Sequence, residues 1–137
     1  MTGFQSEGVP CILVVEDIEP QRRLLLQALA GDGYATVTAR NGAEALKVLD
    51  SETTSIDLVL TAVAMPWLDK LRVYQTVRRR GSSIPVLCAS GVEHPELRGE
   101  LSGAPLVRCL PRPWTIEEML RVVRALLVAS LWGEEYV

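Results

Sequence analysis

The chain is predicted to fold as a single α/β domain, a doubly wound parallel sheet of five strands in the order 2-1-3-4-5 with five helices. Three observations predict it. Short runs of β-branched and aliphatic residues alternate with longer stretches whose apolar positions recur at helical spacing. The short runs are apolar throughout, the pattern of parallel strands covered by helices on both faces. Short links rich in Gly, Pro, Asn and Ser join the elements, so each crossover returns to the sheet nearby, with the right-handed sense such connections take.

Residues 1–10 are poor in apolar side chains and read as a disordered lead-in, residues 11–132 as the domain, and residues 133–137 as a loose tail. Cys11 to Val15 form the first strand, ended by the acidic pair Glu16 and Asp17. Pro20 suits the first turn of a helix carrying Leu24, Leu25, Ala28 and Leu29, which Gly31 and Gly33 stop. Tyr34 to Ala39 make a second strand, and Asn41-Gly42 opens a short helix through Ala45, Leu46 and Leu49. The third strand, Leu58 to Ala62, lies between the short polar Asp57 and the breaker Pro66. A helix with Leu71, Tyr74 and Val77 turned inward follows; its terminal Arg78-Arg79-Arg80 reads as a solvated cap favouring the negative end of the helix dipole. Ile84 to Ala89 form the fourth strand, Val92 to Leu101 a charge-rich helix, and Leu106 to Leu110 the fifth strand. Thr115 and Glu118 match a capping box, opening a last helix past Met119, Leu120, Val123, Leu126 and Leu127 to Leu131 or Trp132.

A length of 137 residues suits one core and leaves no length for a separate output domain. The net charge of −3 argues against a general nucleic-acid binder, which would carry a basic face. No apolar run reaches the roughly 18 residues that cross a bilayer, and the start lacks a leader pattern, so the chain reads as cytoplasmic, with no membrane partner. Cys11, Cys88 and Cys109 are odd in number and far apart, which favours buried reduced thiols over a disulfide framework or a zinc site; Cys109 is the most reachable. His94 stands alone, without the company a metal or phosphorelay site needs.

In the strand order 2-1-3-4-5 the first and third strands are neighbours, and ligands bind at the crevice outside their carboxyl ends, where the winding reverses. Those ends carry Glu16-Asp17 and Ala62. The set V-V-E-D closing the first strand, D-L-V-L-T-A-V-A-M-P through the third, A-S-G after the fourth and R-P-W after the fifth resembles the receiver domains of two-component response regulators. The likeness runs from about Ile12 to Leu127 and implies a flavodoxin-like (βα)5 fold.

The resemblance also assigns roles. Glu16 and Asp17 match the pair that holds Mg²⁺ together with a phosphorylatable Asp; Ala62 stands where that Asp would be, leaving the phosphoacceptor position vacant. Ser90 matches the hydroxyl residue that senses the phosphoryl group, and Arg112, before Pro113 and Trp114, replaces a Lys that precedes a proline, usually with a cis peptide bond. Cys109 stands where an aromatic switch residue usually sits, and Trp67-Leu68-Asp69-Lys70 replaces G-[ML]-D-G, with the Trp67 ring either covering the vacated space, meeting a partner or packing on its helix. A methyl carbon has no lone pair with which to attack phosphorus. Nor do neighbours substitute: Thr61 should face away from the acids, Asp57 lies at the wrong end of its strand, and Asp69 belongs to the next helix.

The expected function is therefore a receiver-type signalling module, not an enzyme, that acts through protein–protein contacts. It should require no cofactor, since two acids and a methyl make a weakened Mg²⁺ nest, and Arg112 should lean on Glu16 and Asp17 as an ion pair. The expected partner is a signalling protein, a histidine kinase or an output partner, engaged through Val92–Leu101, Leu106–Leu110 and the last helix with Trp132; a homodimer could use the same face. Two other readings stay open. One is a conventional Asp-phosphorylated regulator whose acceptor has been replaced by Ala62. The other is an enzyme or flavin protein on this fold, disfavoured because no Gly-rich phosphate loop follows the first strand.

Overall fold

A computed structural model describes residues 8–51, 53–62, 67–80, 83–89 and 106–132. The expected helix over Val92–Leu101, most of the lead-in, the tail, Ser90, His94 and the surroundings of the Trp67 ring lie outside the described residues. The elements in chain order are β1 (Cys11–Val15), α1 (Glu19–Gly31), β2 (Ala35–Ala39), α2 (Gly42–Asp50), β3 (Leu58–Thr61), α3 (Trp67–Arg80), β4 (Val86–Cys88), β5 (Val107–Cys109) and α4 (Ile116–Trp132). All neighbouring strands are parallel, and their order is β2-β1-β3-β4-β5, as the sequence predicts.

Strand alternation divides the apolar residues into two layers. Ile12, Val14, Leu58, Leu60 and Leu87 pack with Leu25 and Leu29 of α1 and Met119, Val123 and Leu126 of α4. On the opposite face Leu13, Val15, Val59 and Val86 meet Ala45 and Leu49 of α2 and Val73 and Val77 of α3. Each fully buried large aliphatic side chain contributes roughly 1.5–3 kcal/mol, so these layers fix the strands whose carboxyl ends border the crevice.

Helix ends follow local chemistry. The Asn41 side chain accepts from the Glu44 N–H at 2.9 Å while the Glu44 carboxylate accepts from the Arg40 N–H at 2.8 Å. A reciprocal capping box opens α4, where the Thr115 hydroxyl accepts from the Glu118 N–H at 3.0 Å and the Glu118 carboxylate accepts from the Thr115 N–H at 2.8 Å. Gly33, at φ +93°, supplies the left-handed residue that turns the chain from α1 into β2.

Three expectations are corrected. Leu24 is 53% exposed instead of facing the core. None of the three thiols is fully buried: Cys11 and Cys88 are half-buried, and Cys109, read as the most reachable, is exposed. The arginine run is not a solvated cap: Arg78 donates to the Ile84 carbonyl and lies over the Tyr74 ring, 5.2 Å from its centre, and Arg80 donates to the carbonyls of Val48, Leu49, Ser51 and Thr54. A guanidinium fork can satisfy several carbonyls at once, and the end of a helix leaves its last carbonyls without their i+4 amide donors.

Candidate functional site

The register of β1 on β3 pairs Val15 with Thr61, and the Ala62 N–H donates to the Val15 carbonyl at 2.9 Å, carrying the pairing one step past the strand. The residues after the two strands, Glu16 and Ala62, thus emerge side by side. Ala62 belongs to the layer under α1 and α4. Thr61, one residue earlier, turns its hydroxyl the other way, donating to the Leu87 carbonyl at 3.4 Å, so it does face away from the acids.

Arg112 reaches this crevice from the loop after β5, and its peptide bond to Pro113 is cis. Its Nη2 donates to the Ala62 carbonyl at 3.1 Å. The expectation is an ion pair with Glu16 and Asp17; the hydrogen bond Arg112 makes among the described residues goes to the backbone at position 62, and the charge acts on Glu16 through space. Trp114 completes the wall: its indole N–H donates to the Ala89 carbonyl at 3.0 Å, fastening the loop to the end of β4.

Two contributors were not singled out from the sequence. Arg22 donates to the Glu16 carbonyl at 2.9 Å and fixes the backbone of the acid pair from the first turns of α1. A cavity of about 360 Å³ opens beside the crevice, with Glu16 and Arg112 at its polar end and Leu24, Leu25, Trp114 and Ile116 along it. The exposed Leu24 lines this groove. An outward-facing Leu on an otherwise amphipathic helix is visible in a sequence only once the opposing helix is placed. Cys109 closes β5, three residues before Arg112, and Trp67 begins α3.

Glu16 is 2% exposed. Burial pushes its carboxyl above the ordinary range; the Ile18 N–H, donating to Oε2 at 3.1 Å, pulls it down, the neighbouring Asp17 raises it, and Arg112 lowers it. The sign for stability follows. A folded-state value above the unfolded one means the folded chain binds more protons, so the penalty is absent below the unfolded carboxyl range, near about 4.3, and grows as pH rises through the raised value. Glu16→Gln, which retains an acceptor for Ile18, is expected to stabilise the chain by about 1 kcal/mol at pH 7 and to make no difference near pH 4. Urea midpoints of both proteins in metal-free buffer across that pH range check this; equal midpoints at pH 7 would show that Glu16 is already fully compensated.

Among the described residues the donor set does not fit a family-type Mg²⁺ nest. Mg²⁺ needs an octahedron of hard oxygens, and among the described residues this crevice offers the buried, already hydrogen-bonded carboxylate of Glu16, the exposed Asp17, and a methyl at position 62 whose own carbonyl is taken by a cationic side chain. Among the described residues no three acidic, His or Cys side chains converge.

Comparison with known proteins agrees with this architecture. The family described as response regulator receiver domain matches residues 12–124. The chain is 35% identical over 116 residues to the response regulator MprA of Mycolicibacterium vanbaalenii, covering 85% of this chain and 49% of that protein. It is 36% identical over 106 residues to the sensor histidine kinase RcsC of Salmonella typhimurium, covering 77% of this chain and 11% of that protein. It thus spans about half the length, or less, of these curated relatives. Among solved structures, a response regulator receiver protein from Sinorhizobium medicae superposes with a TM-score of 0.75 at 25% identity, covering 91% of this chain and 99% of that one. With the strand order, the acid pair at the β1 tip and the family match over residues 12–124 all in agreement, the chain belongs to the response regulator receiver domain family of two-component signalling.

Proposed function

We propose that this receiver domain is a signalling module that is not phosphorylated at position 62 and works through protein–protein contacts. The observation that carries the reading is the chemistry at the β3 tip: the atom offered where the family would present a carboxylate is the buried Ala62 methyl, and the Arg112 guanidinium occupies the adjoining carbonyl. Without an oxygen nucleophile there is no acyl phosphate to form, and without a third hard donor Mg²⁺ has no role the crevice requires.

Receiver domains interact with histidine kinases and output domains, and a two-state equilibrium in such a domain can be biased by a partner as well as by a phosphate. The contact face we assign comprises Val92–Leu101, Leu106–Leu110 and α4, with a histidine kinase or an output protein as partner and a homodimer through the same surface. Val128 and Leu131, 55% and 65% exposed on α4, give that face an apolar component that favours protein contact. We place the domain in the cytoplasm; among the described residues no helix is long and apolar enough to cross a membrane.

The test is incubation with acetyl phosphate and Mg²⁺ followed by intact mass measurement. The expected mass is unchanged, and a gain of one phosphoryl group would overturn the reading. Retention of the acid pair favours examining a second reading, a conventional regulator whose acceptor has been replaced. Labelling that appears only in Ala62→Asp would support it; no labelling in either protein points to a site retired from phosphoryl transfer.

A further inference from the structure

We propose that Cys88 and Cys109 form a dithiol site that a hydroperoxide converts to a reversible intramolecular disulfide. The register of β4 on β5 pairs these two residues directly. Paired residues on parallel strands project from the same face, and here the face is identified by the flanking residues. Val86 and Val107, two positions earlier, both belong to the layer under α2 and α3, as does Cys88, whereas the intervening Leu87 packs in the opposite layer. The two thiols therefore stand on neighbouring strands, on one side of the sheet, at its carboxyl end.

Their exposures divide the chemistry between them. Cys109 is exposed and meets the oxidant; Cys88 is half-buried beside it. The Cys109 thiolate attacks a hydroperoxide oxygen, the O–O bond breaks, and the released alkoxide or hydroxide takes up the thiol proton, leaving Cys109 as a sulfenic acid. The Cys88 thiolate then attacks the Cys109 sulfur, the S–O bond breaks, and the hydroxide leaves as water with the Cys88 proton. Two thiols have lost two electrons and two protons, and one hydroperoxide has become an alcohol or water plus a second water.

Adjacent strands lie about 4.8 Å apart, within the roughly 4.4–6.8 Å separation of Cα atoms that disulfides span. Side chains projecting in parallel hold their Cβ atoms near that same spacing, while a disulfide needs about 3.5–4.5 Å, so β5 has to tilt by a few tenths of an ångström. It is three residues long and pairs with β4 alone among the described strands, which leaves it room to do so. A link closed under such strain is readily reduced, which makes it a reversible mark instead of a permanent staple. Cys11 provides an internal control. It begins β1, two strands from β4, and burial pushes its thiol pKa up, leaving little thiolate.

The test is treatment of the reduced chain with hydrogen peroxide. The expected product is a monomer about 2 Da lighter, with reactive thiols falling from three to one, a cross-linked peptide pair containing positions 88 and 109, and full reversal by dithiothreitol. Cys11→Ser should behave like the native chain, and Cys109→Ser should lose the effect. Peptide mapping of the native protein decides the matter without any variant. A mass gain at Cys109 without the cross-link, a covalent dimer through Cys109, or a disulfide involving Cys11 would each overturn the proposal.

Discussion

Arg80→Ala is expected to lower the free energy of unfolding by about 3 kcal/mol, seen as a fall in the urea midpoint with little change in slope. The Arg80 guanidinium donates to the Ser51 carbonyl at 2.9 Å and the Val48 carbonyl at 3.3 Å, and to those of Leu49 and Thr54. Helix α2 ends at Asp50, so its last carbonyls have no i+4 amide partner within the helix; the Ser51 N–H donates to the Val48 carbonyl at 3.1 Å, and Arg80 supplies the further donors. Bonds to a charged donor contribute roughly 1.5–3 kcal/mol each when measured singly, but they are not additive and water can replace some at this half-buried site, which brings the sum down to about 3. Arg80→Lys should recover less than half, because one ammonium cannot span four acceptors fixed by a planar fork. The Arg23–Glu19 pair gives the contrasting scale: both side chains are 66% exposed, in the class worth under about 1 kcal/mol. An Arg80→Ala midpoint equal to that of the native chain would mean that the run is merely solvated.

The Arg80 clamp bears on what the sequence could reveal. Strand order and the location of the crevice were legible because both follow from periodicity and winding: continuous apolar runs require parallel strands, and the switch point then puts Glu16 beside position 62. The capping box at Thr115 and Glu118 was legible because its partners are three residues apart. The role of Arg80 was not, since its acceptors lie between 26 and 32 residues away and nothing local distinguishes a clamped arginine from a solvated one. Leu24 failed for a related reason. Helical spacing gives the apolar stripe, but the start of α4 at Ile116 decides how much of that stripe is covered. The juxtaposition of Cys88 and Cys109 was half legible: the expected strands contained both, while register, which a slip of one residue reverses, came only with the sheet.

Ala62→Asp is expected to cost about 2–3 kcal/mol at pH 7 in metal-free buffer and to recover most of that loss as the pH is lowered. The side chain at position 62 is 2% exposed and sits in the layer under α1 and α4. Close to it lies Glu16, whose carboxyl burial already pushes upward, with Asp17 adding to the shift. A further carboxylate there is desolvated and faces like charge, so its own folded-state value rises above the unfolded one and that of Glu16 rises further. The folded variant then binds more protons than the unfolded chain. Its penalty is absent below the unfolded carboxyl range, near about 4, and complete above the raised values, so relative stability improves as pH falls through that window. Arg112 sets the lower limit of the cost, because the guanidinium that now donates to the Ala62 carbonyl can turn to the new carboxylate. With three carboxylates the crevice also becomes a hard-oxygen donor set suited to Mg²⁺, so adding the ion should restore stability to the variant and leave the native chain unchanged. Unfolding curves of both proteins between pH 4 and 7, with and without Mg²⁺, separate these effects. If the native chain gained as much from Mg²⁺ as the variant did, Glu16 and Asp17 would be sufficient on their own, and the claim that this receiver has set aside its metal would fail.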